Sequence, residues 1–205
     1  MSVRTELWTD GSGLATGGPG GWAFVLRAVR ADGAVLHEEA RSGGLRSATN
    51  QRAELEAVVN GLVRLDRPTA ITVFTDSEYV IGGFAPPHEW VKRWRQNGWR
   101  NRDGADVQNR DLWETLGQGV AEHAVTWWHV KGHARTYRCP SCAWRGDGAH
   151  RKTPKARIRF CPDCLGRGAE VRCEALDKYP LNARCDVLAG QERRRLLDER
   201  EAVPA

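Results

Sequence analysis

Apolar and β-forming positions crowd residues 3 to 9 and 22 to 30, and the Gly-Ser-Gly-Leu-Ala-Thr-Gly-Gly-Pro-Gly-Gly stretch between them is too flexible for helix or strand. The pattern predicts a hairpin with a long glycine loop, followed past the Asp32-Gly33 turn by a third strand around residues 34 to 39. From Thr49 the period changes. Ala53, Leu55, Val58, Val59, Leu62 and Leu65 recur at helical spacing behind Ser47 or Thr49 as caps, and Pro68 stops the helix. Residues 70 to 75 form a short, nearly continuous apolar run of the kind buried in a parallel sheet, after which Asp76-Ser77 can open a helix. Short helices are expected at 89 to 95 and 109 to 116, a fifth strand at 123 to 130 and a last helix at 182 to 200. This order predicts an α/β fold with a five-stranded mixed sheet and flanking helices, its first, fourth and fifth strands parallel. Ligands bind such sheets beyond the carboxyl ends of the strands, where Asp10, Asp76 and His133 fall.

Composition narrows the picture. With 205 residues, the chain has room for one ordinary α/β domain and a small appendage. No window approaches the roughly 20 apolar residues of a membrane span, and the N-terminus lacks an apolar signal stretch, so a cytoplasmic protein is expected. There the six cysteines stay reduced, and Cys-x-x-Cys spacings favour metal over disulfides. Residues 137 to 178 carry ten Lys/Arg against five Asp/Glu, a surplus equal to the +5 of the whole chain. Residues 88 to 103 add five Lys/Arg against two acids. This patterned positive charge suits a polyanionic partner.

Four acids stand out by context: Asp10 in Thr-Asp-Gly-Ser, Glu54 in Thr-Asn-Gln-Arg-Ala-Glu-Leu, Asp76 in Thr-Asp-Ser-Glu-Tyr-Val and Asp186 in Asn-Ala-Arg-Cys-Asp. Singly, each has an ordinary reading as a turn, cap or solvated helical charge. Gathered together, they would repel one another unless divalent cations lay between them.

These fragments, with Gly18-Pro19-Gly20-Gly21 and Val130-Lys131-Gly132-His133, resemble the type I ribonuclease H family in order and near-family spacing. The resemblance runs from residue 1 to about 135 and resumes from Tyr179 to about Leu197. It implies a ribonuclease H-like fold and hydrolysis of the RNA strand of an RNA/DNA hybrid with two Mg²⁺ ions, Mn²⁺ being a possible substitute. Asp10 would bridge or anchor the metals, Glu54, Asp76 and Asp186 would complete the shell, and His133 would assist proton transfer or product departure. The family's basic protrusion aligns through Trp90, Lys92, Arg93, Trp94, Arg95, Gly98-Trp99 and Asn109, and in relatives it grips the DNA strand. Thr49 and Asn109 match a pocket for a DNA phosphate, and Asn50 and Gln51 match minor-groove contacts. Thr16 and Glu78 depart from the asparagine and glutamine found in many relatives.

Between His133 and Asp186 lie 52 residues where the family needs about ten, and the surplus contains Cys139-Pro-Ser-Cys142 and Cys161-Pro-Asp-Cys164. Their 18-residue separation is zinc-ribbon spacing, which predicts one structural Zn²⁺ held by Cys139, Cys142, Cys161 and Cys164, with His150 as a substitute ligand. Cys173 and Cys185 are expected as reduced bystanders. The domain reading is a discontinuous catalytic domain (1–135 and 179–200), an inserted four-cysteine zinc ribbon (136–178) and a short tail (201–205). The expected protein is a monomer that binds RNA/DNA hybrid and no membrane. Two alternatives stand beside it: a non-catalytic zinc-ribbon adaptor for nucleic acid, and another nuclease of the same fold.

Overall fold

In the computed structural model, which describes residues 2–142, 144–146 and 160–202, the sheet is built around β1 (Val3–Ser12). On one side β2 (Gly20–Arg30) and β3 (Val35–Leu45) run antiparallel; on the other β4 (Ala70–Thr75) and β5 (Ala124–His129) run parallel. The resulting order, β3-β2-β1-β4-β5, is the expected five-stranded mixed sheet. Parallel neighbours need crossovers. These are supplied by α1 (Asn50–Leu62) before β4, and by α2 (Glu78–Phe84), α3 (Trp90–Gln96) and α4 (Arg110–Glu122) before β5.

The chain divides into two compact units, one running up to Val130 and resuming at Arg184, the other spanning Lys131–Ala183. In the first unit Leu7, Phe24, Leu55, Val58, Val73, Trp113 and Leu116 are buried in a single core. Trp113 fills its centre: it is fully buried, its indole Nε1 donates to the Tyr79 hydroxyl at 3.1 Å, and a Cβ on Gly83 would stand 2.3 Å from its ring. The last helix, α6 (Pro180–Glu201), begins in the second unit and packs in the first, where the Ala189 carbonyl closes on Gly21 and the Cys185 thiol donates to the Trp8 carbonyl at 3.3 Å.

Two elements outrun their sequence pattern. β3 continues to Leu45 through Gly43 and Gly44, because the antiparallel register with β2 carries it and the Trp22 ring lies over Gly43, where a Cβ would sit 2.5 Å from it. α4 continues to Glu122, and His123 then joins it to the sheet by accepting a hydrogen bond from the Thr69 amide at 3.3 Å.

The second unit has a small antiparallel sheet of its own, β7-β6-β8, from β6 (Arg135–Arg138), β7 (Arg145–Gly146) and β8 (Glu174–Asp177), with one short helix, α5 (Pro162–Gly166). Two of its cross-strand pairs are oppositely charged: Arg138 meets Glu174 at 2.5 Å and Arg135 meets Asp177. Opposite charges placed directly across a ladder help pin its register. His150, part of the expected insert and the end of the expected tail lie outside the described residues.

Trp113→Ala is expected to cost about 3–5 kcal/mol, the range for deleting a buried aromatic ring. Chemical denaturation of the variant measures this; a loss below about 1 kcal/mol would mean that the core closes without the ring.

Candidate active site and thiol cluster

Asp10 lies near the end of the central strand and Glu54 lies in the second turn of α1. What brings them together is a backbone approach that only glycine allows: a Cβ on Gly11 would stand 2.4 Å from the Glu54 amide nitrogen. The Thr49 hydroxyl starts α1 by accepting from the Arg52 amide at 3.3 Å, which fixes the helix end that carries Glu54. Asp76 follows β4, bracketed by a hydrogen bond from the Ser77 amide to the Thr75 hydroxyl at 3.1 Å, and Ser77 in turn caps α2. His129 Nε2 lies 3.3 Å from the Asp76 carbonyl, tying the end of β5 to the same turn.

Carboxylate oxygens of Asp10, Glu54 and Asp76 all lie within 4.8 Å of one another. Asp186, carried on α6 beside the buried Cys185, is close enough that its charge acts on Asp10. Burial first, and then repulsion from Asp76 and Asp186, push the Asp10 carboxyl up to about 8. Glu54 is raised well above the usual carboxylate range by its burial and by the charges of Asp10 and Asp76. One Glu54 oxygen accepts from Asn50 Nδ2 at 3.3 Å; the other, Oε2, is buried with no hydrogen-bond partner among the described residues. A buried carboxylate oxygen without a donor fits a cation. The role of Asn50 as a partner of Glu54 was not legible as such in the sequence, although their i,i+4 spacing carries the signal.

His133 belongs to the second unit, is exposed and holds a left-handed backbone, φ 52°. In the same unit the sulfurs of Cys139, Cys142, Cys161 and Cys164 form the second group suited to a metal. Cys139 and Cys164 sulfurs are 3.7 Å apart, Cys142 and Cys161 3.6 Å, and Cys164 and Cys142 3.9 Å. Those separations far exceed a disulfide bond of about 2.05 Å. Burial raises the Cys139 thiol, but the Ser141 amide and the neighbouring thiols outweigh it and bring the group down to about 7. Cys173 packs against this cluster, and Cys185 lies apart from it in the first unit.

The residues expected to grip nucleic acid sort themselves by exposure. Lys92, Arg93, Arg95 and Gln51 are exposed, while Thr49, Asn50, Trp90, Trp94 and Asn109 are half-buried. Trp90, Arg93 and Trp94 line an open groove with Tyr79 and Asn97. Trp99 is only 7% exposed, under the Arg110 guanidinium at 5.3 Å, so its ring is core rather than surface. Thr49 and Asn109 precede α1 and α4, two helices clamped side by side where Arg52 donates to both Asp111 oxygens at 3.1 and 2.7 Å.

The family profile for RNase H matches residues 3–141. Among curated relatives, a ribonuclease H of Bordetella pertussis is 43% identical over 131 residues, covering 64% of this chain and 79% of that protein. A ribonuclease H of Thermus thermophilus is 43% identical over 130 residues, covering 63% of this chain and 74% of the relative. Among solved structures, LC9-RNase H1, a type 1 RNase H with the type 2 active-site motif, superposes with a TM-score of 0.55 at 29% identity over 65% of each chain. The PFV RNase H domain shares the fold at a TM-score of 0.57 and 19% identity, over 95% of this chain and 97% of that one.

A pH dependence follows from Asp10. Above about pH 4 the unfolded chain has lost this proton, whereas the folded metal-free protein holds it up to about 8. Stability of the metal-free protein therefore falls as pH rises across that window. In chelator, the melting temperature is expected to drop between pH 5.5 and 8 by on the order of 5 °C more in the wild type than in Asp10→Asn. Parallel pH profiles of the two proteins would remove Asp10 as the source.

Proposed function

Because the chain belongs to the ribonuclease H family, we propose that Asp10, Glu54, Asp76 and Asp186 form its catalytic centre and hold its divalent ions. The protein is an endoribonuclease that hydrolyses the RNA strand of RNA/DNA hybrids, and the mechanism general to its family uses two metal ions, Mg²⁺ in the first instance. Bound ions supply charge stabilisation for the attacking and leaving oxygens of the displacement.

The observation that carries the assignment is the buried acidic cluster, in which Asp10 and Glu54 are each 7% exposed and one Glu54 oxygen has no donor among the described residues. Oxygen-only ligands are hard donors of the kind Mg²⁺ selects. Asp10 is the central ligand, since both Asp76 and Asp186 act on it. Glu54 is held by Asn50 and by the fixed start of α1. His133, the titratable group of the Val-Lys-Gly-His segment, is assigned to proton transfer or product departure.

For the substrate, the paired starts of α1 and α4 present helix N-termini to a phosphate at Thr49 and Asn109. Asn50 and Gln51 face the minor groove in this reading, where the 2′-hydroxyl distinguishes RNA from DNA. Lys92, Arg93 and Arg95 supply cations for the DNA backbone, and Trp90 and Trp94 supply packing surface beside them. Trp99 supports this element from within.

The four thiols hold one structural Zn²⁺ in the same reading. Ligands about 2.3 Å from a common tetrahedral ion stand about 3.8 Å apart; three of the sulfur pairs are 3.6 to 3.9 Å apart, and all four sulfurs lie within 4.8 Å of one another. Thiolates bound this way persist where thiols stay reduced, which favours the cytoplasm. No helix among the described residues is long and apolar enough to cross a membrane. The carboxylates come from one chain, so a monomer suffices for the chemistry.

Wild-type protein with Mg²⁺ is expected to cut RNA/DNA hybrid and to leave RNA/RNA, DNA/DNA and single strands intact, while Asp10→Asn folds normally and cuts at least about 1,000-fold more slowly. Unimpaired cleavage by Asp10→Asn would remove the carboxylate assignment. Elemental analysis of purified protein is expected to find about one zinc per chain, lost in Cys139→Ser together with the folded signature of the second unit. Protein free of zinc with that unit intact would end the ribbon reading.

A further inference from the structure

Alternation along a strand places Trp8 on the same face of β1 as Asp10, two residues on, and Phe74 stands two residues before Asp76. The opposite face is accounted for: Leu7, Val73 and Trp127 belong to the core. Across the parallel register Trp8 pairs with Phe74 and Phe74 with Trp128, so three aromatic rings stand in one row immediately behind the acids. Trp8 and Phe74 stack at 4.0 Å with their planes 5° apart, and Trp128 leans on Phe74 at 6.3 Å and 46°. Cross-strand stacking of Trp8 on Phe74 stabilises the sheet without help. Trp128 adds little to that pair and instead ends the row at the free edge of β5, 55% exposed, the one exposed tryptophan, tyrosine or phenylalanine among the described residues. Its only ring contact among the described residues is Phe74.

We propose that Trp128 is a stacking platform for an unpaired base in a single-stranded flank of the hybrid substrate. An uncharged indole face, backed by Phe74, which itself stands one pleat before Asp76, suits a nucleobase of any identity. Bases inside a duplex already stack on their neighbours, so the platform is open only to nucleotides beyond the paired region. The inference rests on the carboxylate assignment, because substrate held at Asp10 and Asp76 is what brings a strand to this face. It predicts a preference for hybrids that continue into single strand over blunt ones.

The test measures binding in an Asp10→Asn background, using two hybrids of identical duplex, one blunt and one extended at both ends by single-stranded RNA. The extended hybrid should bind about tenfold more tightly. Adding Trp128→Ala should erase that difference and leave blunt binding unchanged, and Trp128→Phe should keep most of it. In otherwise wild-type protein, Trp128→Ala should cleave the blunt hybrid at the normal rate, with unchanged circular dichroism. Equal binding of the two hybrids, equal loss on both, or a Trp128-dependent self-association seen by sedimentation in place of a nucleic-acid effect would overturn the platform. Failure of the wild type to cut blunt hybrid would instead strike at the nuclease centre.

Discussion

Two unit charges 4 Å apart repel by about 4 kcal/mol at an effective dielectric near 20, and here oxygens of Asp10, Glu54 and Asp76 crowd within 4.8 Å of one another with Asp186 acting from beside them. Repulsion on that scale is comparable to the entire stability of an ordinary domain, about 5–15 kcal/mol. The surrounding structure reads as the means of sustaining it. β1 is central in the sheet, Gly11 admits the backbone of α1 to within contact, the Thr75–Ser77 hydrogen bond fixes the turn that carries Asp76, and Cys185 anchors α6 to the Trp8 carbonyl. The acids are thus held by a central strand, a capped helix and a hydrogen-bonded turn, and protonation or cations can relieve the repulsion.

The second unit meets the same constraint with softer atoms. Among the described residues its core consists largely of cysteines, with Trp144 and Val171 packed against them, too little apolar surface to fold a segment by burial alone. Four thiolates within 4.8 Å of one another would repel as the carboxylates do, and a shared ion would resolve both the repulsion and the shortage of core. Under the proposed assignment, ligand hardness would keep the two sites distinct, since oxygen donors favour Mg²⁺ and thiolates favour zinc.

Much of this was legible in the sequence because local chemistry and position coincide. Asp10 and Asp76 close apolar strand-like runs and Glu54 follows the Thr49 cap, and the parallel placement of β1, β4 and β5 follows from element order. What escaped depends on partners distant in sequence. The third strand reads as ending near residue 39, yet it runs on through Gly43 and Gly44, where Trp22 lies over Gly43. Trp99 reads as a surface aromatic in a basic run, yet its backbone at φ 63° turns it into the core beneath Arg110. The row Trp8–Phe74–Trp128 exists only through a register, and no single segment contains it.

Charge counting fails for a related reason. Of the five cations between residues 88 and 103, Arg100 is bound to Asp106 at 3.0 Å, and Arg95 lies along α4, where its guanidinium would meet a Cβ on Gly117 at 2.1 Å. Arg100, already paired to an acid, contributes less to a phosphate than its formal charge suggests, because rebinding it elsewhere forfeits that contact. Lys92 and Arg93 are exposed on α3, and among the described residues neither has a side-chain hydrogen bond or ion pair. In the proposed reading the effective grip of the protrusion is thus a smaller set than the sequence displays, centred on Arg93 beside the groove lined by Trp90 and Trp94. In that reading, position on the helix, more than the number of positive residues, decides which cations would face a nucleic-acid backbone.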